Sequence, residues 1–191
     1  MKKLKEIIQE HNLDIETNPK YGTDKGYPKS YIDEFYEDKF LSLIDSEIKL
    51  VEIGVRSGAS LKLWSEYFSK ANIIGIDNLS DFNNYQVPIN ENWTSSNKVT
   101  FIDADAYVQE TVDKIDGKID ILIDDGPHTF ASHVKLLELY TPKMNSDGMI
   151  IIEDISYDPN QLYSHVSEDL QDKSYVCDYG GYDNRLIVIE F

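Results

Sequence analysis

The chain has 191 residues, 41% hydrophobic and 12% aromatic, enough apolar material for one domain with a full core and too much for a disordered segment. Its 35 acidic side chains against 18 basic ones give a formal charge of -17, a field that repels nucleic-acid backbones and anionic membranes. The lone Cys177 excludes an internal disulfide and a cysteine-based zinc site.

No apolar stretch approaches the ~18–20 residues of a membrane span. The basic start Lys2-Lys3-Leu4-Lys5 is not followed by the apolar segment of a signal peptide. A cytoplasmic protein acting on a small molecule is therefore expected, with no nucleic acid and no membrane as partner. Assembly into a homo-oligomer is compatible with this reading.

In chain order, residues 3–11 and 30–43 read as helices of an N-terminal preface, joined through Tyr21-Gly22-Thr23-Asp24-Lys25-Gly26. From residue 49 onward, short Val/Ile runs alternate with amphipathic stretches. Strands are predicted at 50–55, 73–77, 99–103, 119–125 and 149–154, and helices over 61–68, 108–115 and 130–144. Near-continuous apolar strands separated by helices indicate parallel strands buried on both faces. The last two runs, 175–178 and 186–191, lie too close together for a helical crossover, so they pair as an antiparallel hairpin.

The expected architecture is α/β: a doubly wound, Rossmann-like sheet of seven strands with helices on both faces and an antiparallel C-terminal strand. Residues 1–48 form the preface and 49–191 the core of a single domain. The polar segment 80–98, with Pro88 and Trp93, has the length of a lid or binding loop.

Ligands of an open α/β sheet bind at the carboxyl ends of the strands, and here the acids collect at those ends. Glu52 and Gly54 close the first strand, Asp77 the second, Asp103 and Asp105 the third, Asp124 and Asp125 the fourth, Glu153 and Asp154 the fifth. The turn Glu52-Ile53-Gly54-Val55-Arg56-Ser57-Gly58 lets a ligand approach the backbone. It lacks the denser glycine pattern that a pyrophosphate requires, and Glu52 suits a cation better than a phosphate. Asp77 stands where an acid accepts hydrogen bonds from both ribose hydroxyls. Together these features fit an adenosine ligand without phosphates.

Asp125, Glu153 and Asp154 converge if the fourth and fifth strands are neighbours. Three carboxylates so close need protons or a cation, and oxygen ligands suit Mg²⁺, with Mn²⁺ or Ca²⁺ as alternatives. His128, just past the turn, has an ordinary pKa of about 6.5 and can take a proton from a hydroxyl. The bland alternative is a helix-entry histidine bonded to backbone. His133 is read as structural or surface.

Tyr21-Gly22-Thr23-Asp24-Lys25, Val51-Glu52-Ile53-Gly54-Val55, Ile123-Asp124-Asp125-Gly126-Pro127-His128, Ile152-Glu153-Asp154 and Asp183-Asn184-Arg185-Leu186 together resemble class I S-adenosylmethionine-dependent methyltransferases. They most closely resemble the metal-dependent macrocin and mycinamicin sugar O-methyltransferases. The resemblance runs from about residue 20 onward, with Pro127 where those enzymes usually carry Ser.

The resemblance implies S-adenosylmethionine as methyl donor and Mg²⁺ held by Asp125, Glu153 and Asp154, with His128 as general base. It places Tyr21, Thr23, Glu52, Gly54, Gly58, Asp77, Asp103, Ala104, Asp105 and Asp124 around the cofactor, Tyr21 and Thr23 near its methionine end. The acceptor it implies is a hydroxyl of a sugar or another small polyhydroxylated molecule, with a catechol as runner-up. The missing third glycine disfavours an NAD-dependent sugar oxidoreductase or epimerase. A non-catalytic cofactor-binding protein would have no use for the clustered acids.

Overall fold

The computed structural model describes residues 2–80, 87–94 and 96–191. Its centre is a seven-stranded sheet ordered β3-β2-β1-β4-β5-β7-β6. The strands are β1 (Lys49–Ile53), β2 (Asn72–Asp77), β3 (Val99–Asp103), β4 (Ile119–Asp124), β5 (Met144–Ile152), β6 (Ser174–Asp178) and β7 (Arg185–Glu190). The first five are parallel, and β7 runs antiparallel to both β5 and β6. Chain order reverses beside β1, which leaves β1 and β4 as the central pair and opens a crevice at their carboxyl ends.

Side-chain alternation divides the core in two. Leu50, Ile73, Val99, Ile121, Ile123, Ile151, Leu186 and Val188 point to one face. Val51, Ile53, Ile74, Ile76, Leu122, Ile150, Ile152, Ile187 and Ile189 point to the other. The preface covers the first face with α1 (Leu4–His11) and a helical run over residues 32–43, together with α3 (Ala59–Tyr67). In that run a π-helical turn, Ile32–Tyr36, leads into α2 (Glu37–Phe40) and a 3-10 turn, Leu41–Leu43. Tyr36, Phe40, Trp64 and Phe68 stack edge to face or tilted at its centre, with centroids 5.1–6.5 Å apart.

Three short helices, α4 (Glu91–Thr94), α5 (Gln109–Val112) and, after α6 (Phe130–Tyr140), α7 (Asn160–Tyr163), are followed by α8 (Glu168–Gln171). Of these, α5 to α8 lie over the second face. α6 starts at a capping box in which the Thr129 hydroxyl accepts from Ser132 N–H at 3.1 Å.

Three places differ from expectation: the expected 108–115 helix is α-helical only over Gln109–Val112, and the start of β5 and residues 155–174 also depart. β5 begins at Met144 rather than near 149, through the polar stretch Asn145–Gly148, where its pairing with β4 shifts register between Ile119 and Ile121. A bulge in a polar run leaves no apolar signal in the sequence. Residues 155–174, which carried no assignment, contain α7 and α8, each only four residues long. The segment expected as a long loop over 80–98 lies partly outside the described residues; 91–94 within it is helical.

Candidate active site

Backbone hydrogen bonds continue past the strand ends and fix the loops there. Gly54 N–H donates to Ile76 O at 2.9 Å, Asp125 N–H to Ile53 O at 2.9 Å, and Glu153 N–H to Asp124 O at 2.9 Å. Among the described residues five non-glycine positions have positive φ, and four of them follow strand ends: Arg56, Leu79, His128 and Asp154. Such conformations cost roughly 1–2 kcal/mol each. Their concentration at one rim marks a site where local strain is retained for function.

A cavity of about 800 Å³ opens at this rim, a size suited to a cofactor and part of an acceptor. Of the site residues proposed from the sequence, Thr23, Gly54, Asp77, Ala104, Asp105, Asp125 and His128 line it. The wall also includes Asp24, Arg56, Ser57, Asn78, Tyr107 and Lys135, which the sequence reading did not single out. Tyr21, Glu52, Gly58, Asp103, Asp124, Glu153 and Asp154 stand behind or beside it.

Asp77 is already engaged. Its Oδ2 accepts from Val55 N–H at 3.0 Å and Arg56 N–H at 2.9 Å, and its Oδ1 from Leu79 N–H at 2.7 Å. It therefore shapes the Gly54 turn while facing the cavity. Tyr21 supports the same turn from outside: its carbonyl accepts from the Ser57 hydroxyl at 2.5 Å, and its ring meets Trp93 edge on at 6.5 Å.

Glu52 is wholly buried, 3.4 Å from Lys25 Nζ and accepting from Trp64 Nε1 at 3.1 Å. Burial pushes its carboxyl up to about 7 against the pull of Lys25. Asp124 is likewise buried and held by the Tyr107 hydroxyl at 2.7 Å, its carboxyl pushed up to about 6 by burial. Its second oxygen and His133 Nε2 lie 4.0 Å apart, each without a hydrogen bond. His133 Nδ1 meets the Tyr157 hydroxyl at 2.7 Å, and burial, with the charge of His128, pushes His133 down to about 4. Its structural reading is supported: His133 is buried and neutral.

The acids of the fourth and fifth strands divide into two sets. Asp125, His128 and Asp154 each offer a ligand atom within 4.8 Å of the others, the only such group among the described residues. His128 Nε2 lies 3.1 Å from Asp125 Oδ1, and Nδ1 lies 3.9 Å from Asp154 Oδ2. Two carboxylates beside one imidazole suit a hard divalent cation. Glu153 is instead directed inward, its Oε2 2.8 Å from Lys25 Nζ and its Oε1 accepting from the Tyr36 hydroxyl.

Burial lowers the basicity of His128, but the Asp125 hydrogen bond and the charges of Asp125, Asp154 and Asp124 outweigh it and push the imidazole up to about 9. Asp125 moves the other way: burial would raise it, yet Lys25 and His128 hold it below the usual carboxylate range.

The lysines paired with these acids come from the preface, a contribution missing from the sequence reading. Lys25 reaches Asp125 and Glu153; Lys29 Nζ lies 3.0 Å from Asp154 Oδ2; the Tyr31 hydroxyl donates to Asp154 Oδ1 at 2.7 Å. The sequence reading also took a Tyr-x-x-x-Lys pair, the spacing of a sugar oxidoreductase, to be absent; that is corrected, since Tyr21 and Lys25 have this spacing. Lys25 is sealed among carboxylates and Tyr21 is off the cavity wall, so the two do not share a site.

Residues 51–155, more than half of the chain, match the family profile of a methyltransferase domain. The chain belongs to the methyltransferase-domain family. It is 31% identical over 147 residues to the 8-demethyl-8-alpha-L-rhamnosyl tetracenomycin-C 2'-O-methyltransferase of Streptomyces olivaceus, covering 71% of this chain and 36% of that protein. It is 25% identical to the mycinamicin VI 2''-O-methyltransferase of Micromonospora griseorubida, covering 73% of this chain and 35% of that one. Among solved structures it superposes on the MycE methyltransferase of the mycinamycin biosynthetic pathway, in complex with Mg, SAH and mycinamycin VI. The TM-score is 0.67 at 20% identity, over 91% of this chain and 52% of that one. This methyltransferase domain thus spans about a third of the length of those curated relatives and half of that structure.

Proposed function

We propose that the protein is an S-adenosylmethionine-dependent O-methyltransferase whose acceptor is a sugar hydroxyl and whose site holds a divalent cation. The observation that carries this is the shared rim: the Gly54–Asp77 turn opens on one cavity of about 800 Å³ together with Asp125 and His128, which Asp154 joins from beside the wall. The relatives support the acceptor class, since those named above are O-methyltransferases of a rhamnosyl tetracenomycin-C and of mycinamicin VI.

In this reading Asp77, with Asn78, meets the ribose, Ala104 and Asp105 flank the adenine, and Thr23 and Asp24 face the methionine end. Bound S-adenosylmethionine supplies a methyl group on a sulfonium, an electrophile needing alignment more than activation. Asp125 and Asp154 hold the divalent cation, which supplies Lewis acidity to an acceptor hydroxyl. Glu153, the third acid of the resemblance, stands behind them on Lys25.

His128 receives the hydroxyl proton at Nδ1, the ring nitrogen not taken by Asp125. It must be neutral to do so, and a cation on Asp125 and Asp154 weakens both interactions that push it up. The methyl would pass to the acceptor oxygen as its bond to the sulfonium breaks, leaving S-adenosylhomocysteine as the neutral thioether, and the proton stays on the His128 imidazole until solvent removes it. Calorimetric titration tests the cofactor half: S-adenosylhomocysteine binds and NAD does not. The reverse order overturns the proposal.

A further inference from the structure

Four side chains of the preface, Lys25, Lys29, Tyr31 and Tyr36, end on the carboxylates of Asp125, Glu153 and Asp154, and Lys25 goes deepest. Its Nζ is fully buried, 2.6 Å from Asp125 Oδ2, 2.8 Å from Glu153 Oε2 and 3.4 Å from Glu52 Oε1. Removing charges from water offsets most of the attraction within a buried ion cluster, so such a cluster is a weak source of stability in itself. The geometry shows what it arranges instead. Lys25 takes one oxygen of Asp125 and leaves Oδ1 for His128. It takes one oxygen of Glu153 while Tyr36 takes the other. Lys29 and Tyr31 divide Asp154 in the same manner.

We propose that Lys25 is a positioning residue: its ammonium holds one oxygen each of Asp125 and Glu153, so that Asp125 presents Oδ1 to His128 and the cavity. The preface thereby completes the site from a part of the chain 100 residues away from Asp125. The inference rests on the methyl-transfer reading only for what the aimed carboxylates serve. The alternative is that Lys25 matters for the packing of its aliphatic stem, which methionine would reproduce.

The test compares melting temperatures of the whole protein and its K25M, E153Q and K25M/E153Q variants, in chelator and in excess Mg²⁺. K25M leaves buried acids unpaired and is expected to lower the melting temperature in chelator by about 10 °C. Mg²⁺, able to replace the lost charge between Asp125 and Glu153, should restore at least half of that loss and stabilise the unaltered protein less. E153Q should destabilise the unaltered protein yet stabilise K25M, because there it removes a buried acid that has lost its ammonium partner.

If K25M does not fold, folding of K25M/E153Q gives the same support, and failure of both in Mg²⁺ overturns the proposal. An equal Mg²⁺ response in K25M and the unaltered protein, or the same E153Q effect in both backgrounds, also overturns it in favour of packing. None of these readouts involves methyl transfer. A protein that shows them and methylates nothing would keep Lys25 in this role and lose the functional reading.

Discussion

Replacing Gly54 with alanine tests whether the β1 turn and the β4 end touch as described. Gly54 has φ +80°, and a Cβ built there would stand 2.0 Å from Asp125 O, 2.5 Å from Asp125 C and 2.8 Å from Gly126 Cα. All three are backbone atoms, so no side chain can swing aside. A tolerable contact requires the Asp125–Gly126 loop to retreat by about 1 Å, against the Asp125 N–H bond to Ile53 O. The left-handed conformation adds about 1 kcal/mol for a residue with a Cβ. Overpacking adds roughly 1–3 kcal/mol, and the weakened hydrogen bond about 1 kcal/mol.

The sum is about 4 kcal/mol, or a melting temperature lower by about 10 °C for a chain of this size. Displacing Asp125 by 1 Å should also cost about 10²-fold in turnover of the folded fraction. Gly58 is the control: it too has positive φ, at +92°, but among the described residues its built Cβ would meet only the Thr94 side chain, at 3.1 Å, and Trp93 Cβ, at 3.7 Å. Gly58→Ala should lose about 1 kcal/mol, near 3 °C. Thermal melts and S-adenosylhomocysteine titrations read both variants. A Gly54→Ala protein that melts and binds like Gly58→Ala would refute the close approach of Asp125 to the turn.

Three further outcomes are expected. Burial holds His133 at about 4, below the roughly 6.5 of the unfolded chain, so its contribution to stability is complete above that value and is lost as pH falls toward 4. His133→Gln should therefore melt with a shallower acid limb than the unaltered protein, and parallel limbs would contradict a neutral buried His133. His128→Asn should lower turnover ~10²–10⁴-fold with little change in S-adenosylhomocysteine affinity. In the unaltered protein at subsaturating Mg²⁺ the rate should rise with pH toward the value of about 9 set by Asp125 and Asp154, and saturating Mg²⁺ should move that limb to lower pH. Asp154→Asn should weaken Mn²⁺ binding, read by electron paramagnetic resonance, at least about tenfold while cofactor binding persists. Unaltered Mn²⁺ affinity would remove Asp154 from the ligand set.

The fold was legible because buried parallel strands leave a strong apolar signal. Leu50, Val51 and Ile53, or Ile121, Leu122 and Ile123, have no other economical placement. The last two strands were legible as a hairpin but not in their order: the structure puts β7 inside the sheet, with Leu186 to Ile189 buried, and β6 at its edge, with Tyr175 and Val176 exposed. The start of β5 was not legible, since Asn145–Gly148 is polar and bulged. The site's acids were legible from their strand-end positions; their partners were not. Lys25, Lys29, Tyr31 and Tyr36 sit in a preface far from those acids in sequence, and lysine is almost always exposed. One local clue existed: Glu52 interrupts an otherwise apolar buried strand, and a buried acid there demands a buried partner. That partner is Lys25.

The central claim is tested most directly by mass spectrometry of deoxysugar glycosides incubated with the protein and S-adenosylmethionine. One added methyl on a sugar oxygen is expected in the presence of Mg²⁺, none in excess chelator, and recovery when Mg²⁺ is restored. A protein that binds S-adenosylmethionine yet methylates these glycosides equally well in chelator would contradict the role given to Asp125 and Asp154, and methylation of none of them, with Mg²⁺ present, would contradict the acceptor.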